Sequence, residues 1–95
     1  MESQMDIQKV FQLREGVKFF DFEEHSFVID TLDHSLYNLG MSSALISANL
    51  DGKNNLETII KVIRRHYDVS ARESESAVEK FVVMMQQKHL INESE

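Results

Sequence analysis

The sequence predicts an α+β fold in which a three-stranded antiparallel sheet is followed by three helices. Two observations carry this prediction. Short aromatic and aliphatic runs separated by polar turns occupy the first half of the chain, and amphipathic periodicity with helix-capping signals occupies the second. Strands grouped before helices indicate a domain whose helices cover one face of a small sheet. We expect a flexible segment over residues 1–10, the folded domain over residues 11–91 and a tail over residues 92–95.

The first two strands are predicted from residues 17–22 and 27–29. The earlier run is rich in aromatic side chains and ends at the polar turn Glu23-Glu24-His25, and the later run is Phe-Val-Ile. A connection this short cannot carry a parallel crossover, so the strands should form an antiparallel meander.

The third strand is predicted at Leu36-Tyr37-Asn38-Leu39, after a polar turn at residues 33–35. Alternation places Tyr37 and Leu39 on one face of the strand and Leu36 and Asn38 on the other. Gly40 then ends the strand region.

The first two helices are predicted from capping residues and apolar spacing. Ser42 or Ser43 should cap the first helix, and Asp51-Gly52 should stop it. The second helix should begin near Asn54, with Glu57 three residues later. Its apolar residues recur at i, i+3, i+4, i+7 and i+11: Leu56, Ile59, Ile60, Ile63 and Tyr67.

The third helix is predicted over residues 71–89. Ser70 and Glu73 have the spacing of a capping box, which satisfies two free backbone N–H groups at a helix start. The apolar residues of this helix are Val78, Phe81, Val82 and Met85.

The composition limits the classes of function. The chain has 95 residues, a net charge of −6 and no cysteine, which excludes disulfides, thiol nucleophiles and thiolate metal sites. No apolar run approaches the roughly 20 residues that a membrane-spanning helix needs. The first residues show no secretory signal. We therefore expect a soluble cytoplasmic protein without a membrane partner.

No catalytic, metal or cofactor site is predicted. The four histidines are dispersed, and no pair has the spacing of a metal site. No serine lies in a Gly-x-Ser-x-Gly motif, and the three glycines are too far apart for a phosphate-binding loop. We therefore expect a protein that is not an enzyme.

Residues 53–72 form a locally basic segment with five basic and two acidic side chains, a net charge of +3. Lys61, Arg64, Arg65 and Arg72 could contact phosphates, and three helices with a β-ribbon are typical of winged helix-turn-helix DNA-binding domains. The sequence pI near 5.1 opposes DNA binding, because phosphate neutralisation supplies most non-specific affinity. A winged-helix DNA-binding regulator is the alternative function, and we do not expect nucleic acid as the main partner.

An ordered set of features runs through most of the chain. They are a strand–turn–strand over residues 17–29, then Leu36-Tyr37-Asn38-Leu39, Leu50-Asp51-Gly52, Leu56…Ile59-Ile60, Tyr67-Asp68-Val69, Val78-x-x-Phe81-Val82-x-x-Met85 and Leu90-Ile91. In this order and spacing the chain resembles PqqD and the related RiPP recognition elements. These are small winged-helix-like domains that bind leader regions of ribosomally synthesised precursor peptides (RiPPs). Gly40, Ala77 and His89 depart from the family's usual residues, which leaves the subfamily and any role in making pyrroloquinoline quinone open.

The resemblance implies a non-catalytic adaptor that binds a leader peptide by β-strand addition. In such domains the leader pairs with the third strand and lies against the last helix. The implied peptide-binding residues are Leu36, Tyr37, Asn38 and Leu39 on the strand, and Ala77, Lys80, Phe81, Met84 and Lys88 on one helix face. Lys80 and Lys88 are expected to meet acidic side chains of the leader, and Phe81 is expected to belong to the core first. Tyr37 or Asn38 is expected to turn its backbone N–H outward.

The implied partners are the leader and a separate modifying enzyme, such as a radical-SAM enzyme, a cyclase or a leader peptidase. Lys61, Arg64, Arg65 and Arg72 are the predicted docking face for that enzyme. An open strand edge can also pair with its own copy, so a homodimer is a further possibility.

Overall fold

The computed structural model describes residues 5–22 and 25–94 and contains, within them, six strands and three helices. The elements in chain order are β1 (Val10–Leu13), β2 (Val17–Phe22), β3 (His25–Asp30), β4 (Ser35–Leu39), α1 (Met41–Ala48), β5 (Asp51–Asn55), α2 (Leu56–Tyr67), α3 (Ala71–Gln87) and β6 (Ile91–Ser94). The predicted α+β class, with an antiparallel meander followed by three helices, is confirmed.

Strands β2, β3 and β4 form the predicted meander, in that order. The register places Phe19 opposite Val28, and Val28 opposite Tyr37, so these three side chains share the face that packs on the core. Burial alternates along β4 as predicted, since Tyr37 and Leu39 are half-buried and the residues between and before them are exposed. Residues 23 and 24 of the predicted first turn lie outside the described residues.

A second three-stranded sheet, in the order β5-β1-β6, is not predicted by the sequence. Both neighbours pair antiparallel with β1. β5 reads DGKNN and β6 reads INES, so neither has the alternating apolar side chains by which a strand is recognised.

The second sheet changes the expected chain ends. Residues 92–94 lie in β6 rather than in a tail, and Val10 lies in β1 rather than in a flexible segment. The backbone carbonyls of Ile7 and Lys9 accept the N–H groups of Glu57 at 2.8 Å and Leu56 at 3.0 Å. Residues 7 and 9 therefore satisfy donors at the start of α2 that the helix itself cannot pair. Residues 1–4 and 95 lie outside the described residues.

Two of the three predicted caps need correction. Helix α1 begins directly after Gly40 without a side-chain cap, which places Ser42 and Ser43 inside its first turn. Helix α2 is capped by Asn55 rather than Asn54, through a hydrogen bond of 2.9 Å from the Thr58 N–H to the Asn55 side chain. The capping box of α3 is confirmed on both sides: Glu73 N–H donates to Ser70 Oγ at 3.1 Å and Ser70 N–H to Glu73 Oε1 at 3.3 Å.

The sequence predicts that the Asp51-Gly52 pair stops α1, and this prediction is wrong. That helix ends at Ala48, and the pair begins β5. Gly52 has φ +79°, a left-handed conformation that favours glycine, and it lies where the β1–β5 register shifts. The third helix ends at Gln87, two residues before the predicted end, and His89 has φ +58°. His89 thus marks the turn into β6, and Gly52 lies inside β5; the sequence pattern reveals neither strand.

The core lies between the inner face of the meander and the three helices. The predicted apolar stripes of α2 and α3 supply most of it. Its buried apolar residues include Val28, Leu56, Ile59, Ile60, Ile63, Val78, Phe81, Val82, Met85 and Leu90.

Arg14 joins the two sheets to the end of α3. Its guanidinium forms an ion pair with Asp30, at the end of β3, and its Nε donates to the His89 carbonyl at 2.7 Å. Asp30 is only 4% exposed, and its second carboxylate oxygen accepts the Leu32 N–H at 3.0 Å. A buried carboxylate is tolerated only with a charge partner and hydrogen bonds, so Arg14 fixes the β3–β4 hairpin relative to the end of the last helix.

Arg14→Met should lower the free energy of unfolding by about 3 kcal/mol, because it leaves the Asp30 carboxylate buried without its partner. Urea unfolding followed by circular dichroism measures this loss. The matched control is Lys9→Met. Lys9 pairs with Glu93 at 3.2 Å, but both side chains are about half-exposed, so the loss should stay below about 1 kcal/mol. Equal losses in the two variants would contradict the role given to Arg14.

Candidate functional site: the β4 edge and the last helix

Strand β4 lies at an edge of the meander. It pairs with β3 on one side, and no described strand pairs with its other side. Its sequence, SLYNL, contains no charged residue and no proline, the features that natural proteins use to block an exposed edge. The edge is therefore open to another extended chain.

The hydrogen-bond pattern shows which backbone groups of this edge are available. Thr31 N–H donates to the Gly16 carbonyl at 2.8 Å, which makes these two residues a hydrogen-bonded pair between β2 and β3. Hydrogen-bonded and non-hydrogen-bonded pairs alternate along an antiparallel ladder. Ile29 is therefore hydrogen-bonded to β2, like Thr31, and Val28 turns its backbone groups away from β2 and towards β4. Its partner there is Tyr37, which is therefore bonded to β3.

It follows that Leu36 and Asn38 turn their N–H and C=O groups away from the sheet. The sequence-based expectation that Tyr37 or Asn38 points outward is correct for Asn38 and wrong for Tyr37. Two residues thus offer two donors and two acceptors along one line, which is the pattern that an added strand pairs with.

The inner face of β4 meets the C-terminal part of α3. The ammonium group of Lys88 lies 5.2 Å from the centroid of the Tyr37 ring. Tyr37, Leu39 and Met84 are half-buried and pack against the same core cluster. The predicted strand and helix surfaces therefore approach each other at this end of the molecule.

The predicted helix residues differ in burial. Phe81 is 6% exposed and belongs to the core, as expected. Ala77 and Met84 are half-buried, and Lys80 and Lys88 are exposed. Of this set, direct contact with β4 is shown for Lys88, and peptide binding by all five residues stays a prediction.

The turn before β4 is held by Asp33. Its carboxylate accepts the Ser35 N–H at 2.9 Å. The pKa of Asp33 is lowered because the hydroxyl and the backbone N–H of Ser35 both donate to the charged carboxylate. This turn fixes the residue at which the edge strand begins.

The predicted docking face lies on α2 and in the first turn of α3. Lys61, Arg64 and Arg65 are exposed on α2 and line one shallow depression together with Asp68, and Arg72 is exposed in the first turn of α3. An acidic side chain therefore interrupts the basic patch, as the sequence indicated, and a docking role stays a prediction.

Sequence reasoning missed two features of the site. One is Arg14, whose partners lie 16 and 75 residues away in the chain. The other is the outer face of the meander, where Phe22 and Leu36 are 59% and 54% exposed. Alternation of side chains along β2 and β3 carries the signal for this face, once the register is known.

Residues 5–22 and 25–94 contain neither a metal-binding cluster nor a membrane-spanning helix. No group of three or more His, Cys, Asp or Glu side chains is placed to hold a metal ion. No helix there is long and apolar enough to cross a membrane.

A family model described as coenzyme PQQ synthesis protein D (PqqD) matches residues 26–91, from β3 to the start of β6. The chain belongs to the PqqD family. The resemblance read from the sequence is thus confirmed. No curated protein matches the sequence.

Two solved structures share the fold of this PqqD-family chain. One is TbiB1 in complex with the TbiA(beta) leader peptide, with a TM-score of 0.77 and 16% identity over 85% of this chain and 94% of that one. The other is lasso peptide synthetase B1 complexed with the leader peptide, with a TM-score of 0.77 and 16% identity over 86% and 96%. At this identity the likeness shows the fold.

The orientation of β4 predicts a pattern of amide exchange in the unliganded protein. The amides of Leu36 and Asn38 should exchange rapidly with D2O, because they face solvent, and those of Tyr37 and Leu39 should exchange slowly, because they are bonded to β3. Residue-resolved NMR exchange measures this, and the reverse pattern would contradict the assigned edge.

Proposed function

We propose that this PqqD-family domain is a non-catalytic adaptor for a ribosomally synthesised precursor peptide. It binds the leader region as a strand added to β4 and presents the precursor to a separate modifying enzyme. The observation that carries the proposal is the uncharged, open edge of β4 beside α3. It is supported by the shared fold of two proteins that were solved with a leader peptide.

Backbone pairing alone would give weak binding. The two outward residues, Leu36 and Asn38, offer four hydrogen bonds, and each contributes about 1 kcal/mol net. A total of about 4 kcal/mol corresponds to a dissociation constant of about 1 mM. Side-chain contacts must therefore supply most of the affinity and the selectivity.

We place the inward side chains of the leader in a groove between β4 and α3, where the residues have the chemistry for such contacts. Tyr37, Leu39 and Met84 offer apolar surface, and Lys80 on α3 and Lys88 at its C-terminal cap supply two positive charges. The whole chain has a net charge of −6, so an acidic peptide is repelled except near such local positive charges. The leader that fits best has apolar side chains facing the groove and acidic side chains near the lysines.

The second contact of the adaptor would be with its enzyme. Lys61, Arg64, Arg65 and Arg72 form the proposed docking face, and all four side chains are exposed. Holding precursor and enzyme on one scaffold raises the effective concentration of the substrate. A radical-SAM enzyme, a cyclase or a leader peptidase fits this role, and a short precursor gene beside one of them would be independent support.

Asn38→Pro should weaken leader binding about tenfold with little loss of folding stability. The substitution deletes an outward N–H that only the added strand would use. The assay is a calorimetric titration with a synthetic leader peptide of a candidate precursor, chosen from the short reading frames that neighbour this gene. Asp21→Pro is the matched control, because Asp21 lies on the other edge of the same sheet and should leave the affinity unchanged.

Unchanged affinity in Asn38→Pro would contradict strand addition at β4. NMR shifts confined to residues 56–72 on titration would move the site to the basic helix. Steeply salt-dependent binding of duplex DNA, lost in an Arg64→Ala/Arg65→Ala variant, would instead support the DNA-binding alternative.

Lys80→Glu should weaken the binding of an acidic leader by about 1 kcal/mol, or roughly fivefold, because it reverses a charge at the exposed rim of the groove. Lys61→Glu makes the same change of net charge on α2 and should have little effect. Titrations at low and physiological salt measure both variants. Similar losses in the two would indicate a general effect of net charge rather than a contact at the groove.

A further inference from the structure

The outer face of the meander is apolar and open. The register places eight side chains on it, none of them buried: Lys18, Phe20, Phe22, His25, Phe27, Ile29, Leu36 and Asn38. The rings of Phe20 and Phe27 stack with centroids 5.4 Å apart, and Phe20 and Phe22 stack at 6.2 Å. An exposed apolar patch of this kind on a small domain usually marks a contact with another molecule.

This face is continuous with the edge at which the leader is proposed to bind. Leu36 belongs to both the edge and the outer face. Its backbone N–H and C=O groups point outward from the edge of the sheet, and its side chain lies on the outer face and is 54% exposed. A strand added beside β4 alternates its side chains between the two faces, whichever way it runs. Every second leader side chain therefore lies on the outer face, next to Leu36 or Asn38.

We propose that the leader is recognised on both faces of the sheet, and that the leader residue opposite Leu36 is apolar. This inference rests on the proposed function and adds a determinant of its selectivity. Directly opposed side chains have Cβ atoms about 5 Å apart, so an aliphatic or aromatic leader residue covers the exposed Leu36 side chain.

The strand spacing limits what the leader covers. Neighbouring strands lie about 4.8 Å apart, so an added strand is about 10 Å from β3 and about 14 Å from β2. A leader side chain therefore covers Leu36, approaches Ile29 on β3 only if it is large, and cannot reach Phe22 on β2. The required leader has apolar residues at neighbouring positions, one entering the groove beside α3 and the next lying on Leu36.

The test compares two serine substitutions on the same face. Leu36→Ser should weaken the binding of the synthetic leader peptide about fivefold, because it removes the apolar partner of the outward leader residue. Phe22→Ser is the matched control. Phe22 is as exposed as Leu36, but it lies on β2, and its substitution should change the affinity less than twofold. Leu36→Met should keep the affinity, and thermal unfolding verifies that all three variants fold.

A reciprocal change in the peptide locates the contact. A nuclear Overhauser effect to the Leu36 methyl groups identifies the opposed leader residue. Replacing that residue by serine should weaken binding to the wild-type protein about fivefold and have little further effect in Leu36→Ser, as expected for two side chains in contact.

The outcomes separate this inference from the proposed function. If Asn38→Pro weakens binding and Leu36→Ser does not, strand addition stands and recognition on the outer face is overturned. Equal losses for Leu36→Ser and Phe22→Ser would also overturn it, since the leader cannot reach both. If the wild-type protein binds no leader, both proposals fall. A dimer in light scattering that both serine variants abolish, with leader affinity unchanged, would assign the face to a second copy of the chain.

Discussion

The ion pair between Arg14 and Asp30 is the constraint on which the geometry of the site depends. Asp30 ends β3 and opposes Ser35 at the start of the edge strand, and Arg14 also binds the carbonyl of His89, the residue after Lys88. One guanidinium group thus holds the hairpin that presents the edge and the helix end that faces it. A planar donor with several N–H groups can bridge two acceptors in this way, and an ammonium group cannot do so with the same geometry.

An open strand edge is a hazard as well as a binding site, because it can pair with other copies of the chain. Here β4 has only five residues, and two of them present their backbone groups outward. The few hydrogen bonds available give weak pairing without side-chain contacts. The net charge of −6 also makes two copies repel each other. A short edge on an acidic domain therefore favours a partner with complementary side chains over self-association.

The sequence predicted the elements whose signals are local. The apolar stripe from Leu56 to Ile63 and the capping box at Ser70 specify α2 and α3 through spacing alone, and β2 is found at its predicted bounds. The second sheet could not be predicted, because β5 and β6 are held by backbone hydrogen bonds to β1 and carry almost no apolar pattern. Pairing between distant short segments is a property of the folded chain, not of any window of sequence.

The candidate site also combines features that local sequence signals predict with features that depend on long-range pairing. Alternation along residues 36–39 predicts which side chains face inward. The direction of the backbone N–H groups depends on the register of two hairpins, so the sequence leaves Tyr37 and Asn38 as alternatives and the structure selects Asn38. The contact of Lys88 with Tyr37 could not be predicted from the sequence either, because the two residues lie far apart in the chain. This contact affects how the proposed leader would bind. An exposed cation–π contact contributes about 0.5–1 kcal/mol, whereas a hydrogen bond to a charged group contributes about 1.5–3 kcal/mol. If the proposed leader carries an acidic side chain at this position, that side chain would outcompete the ring for the Lys88 ammonium and would expose the Tyr37 face to the added strand.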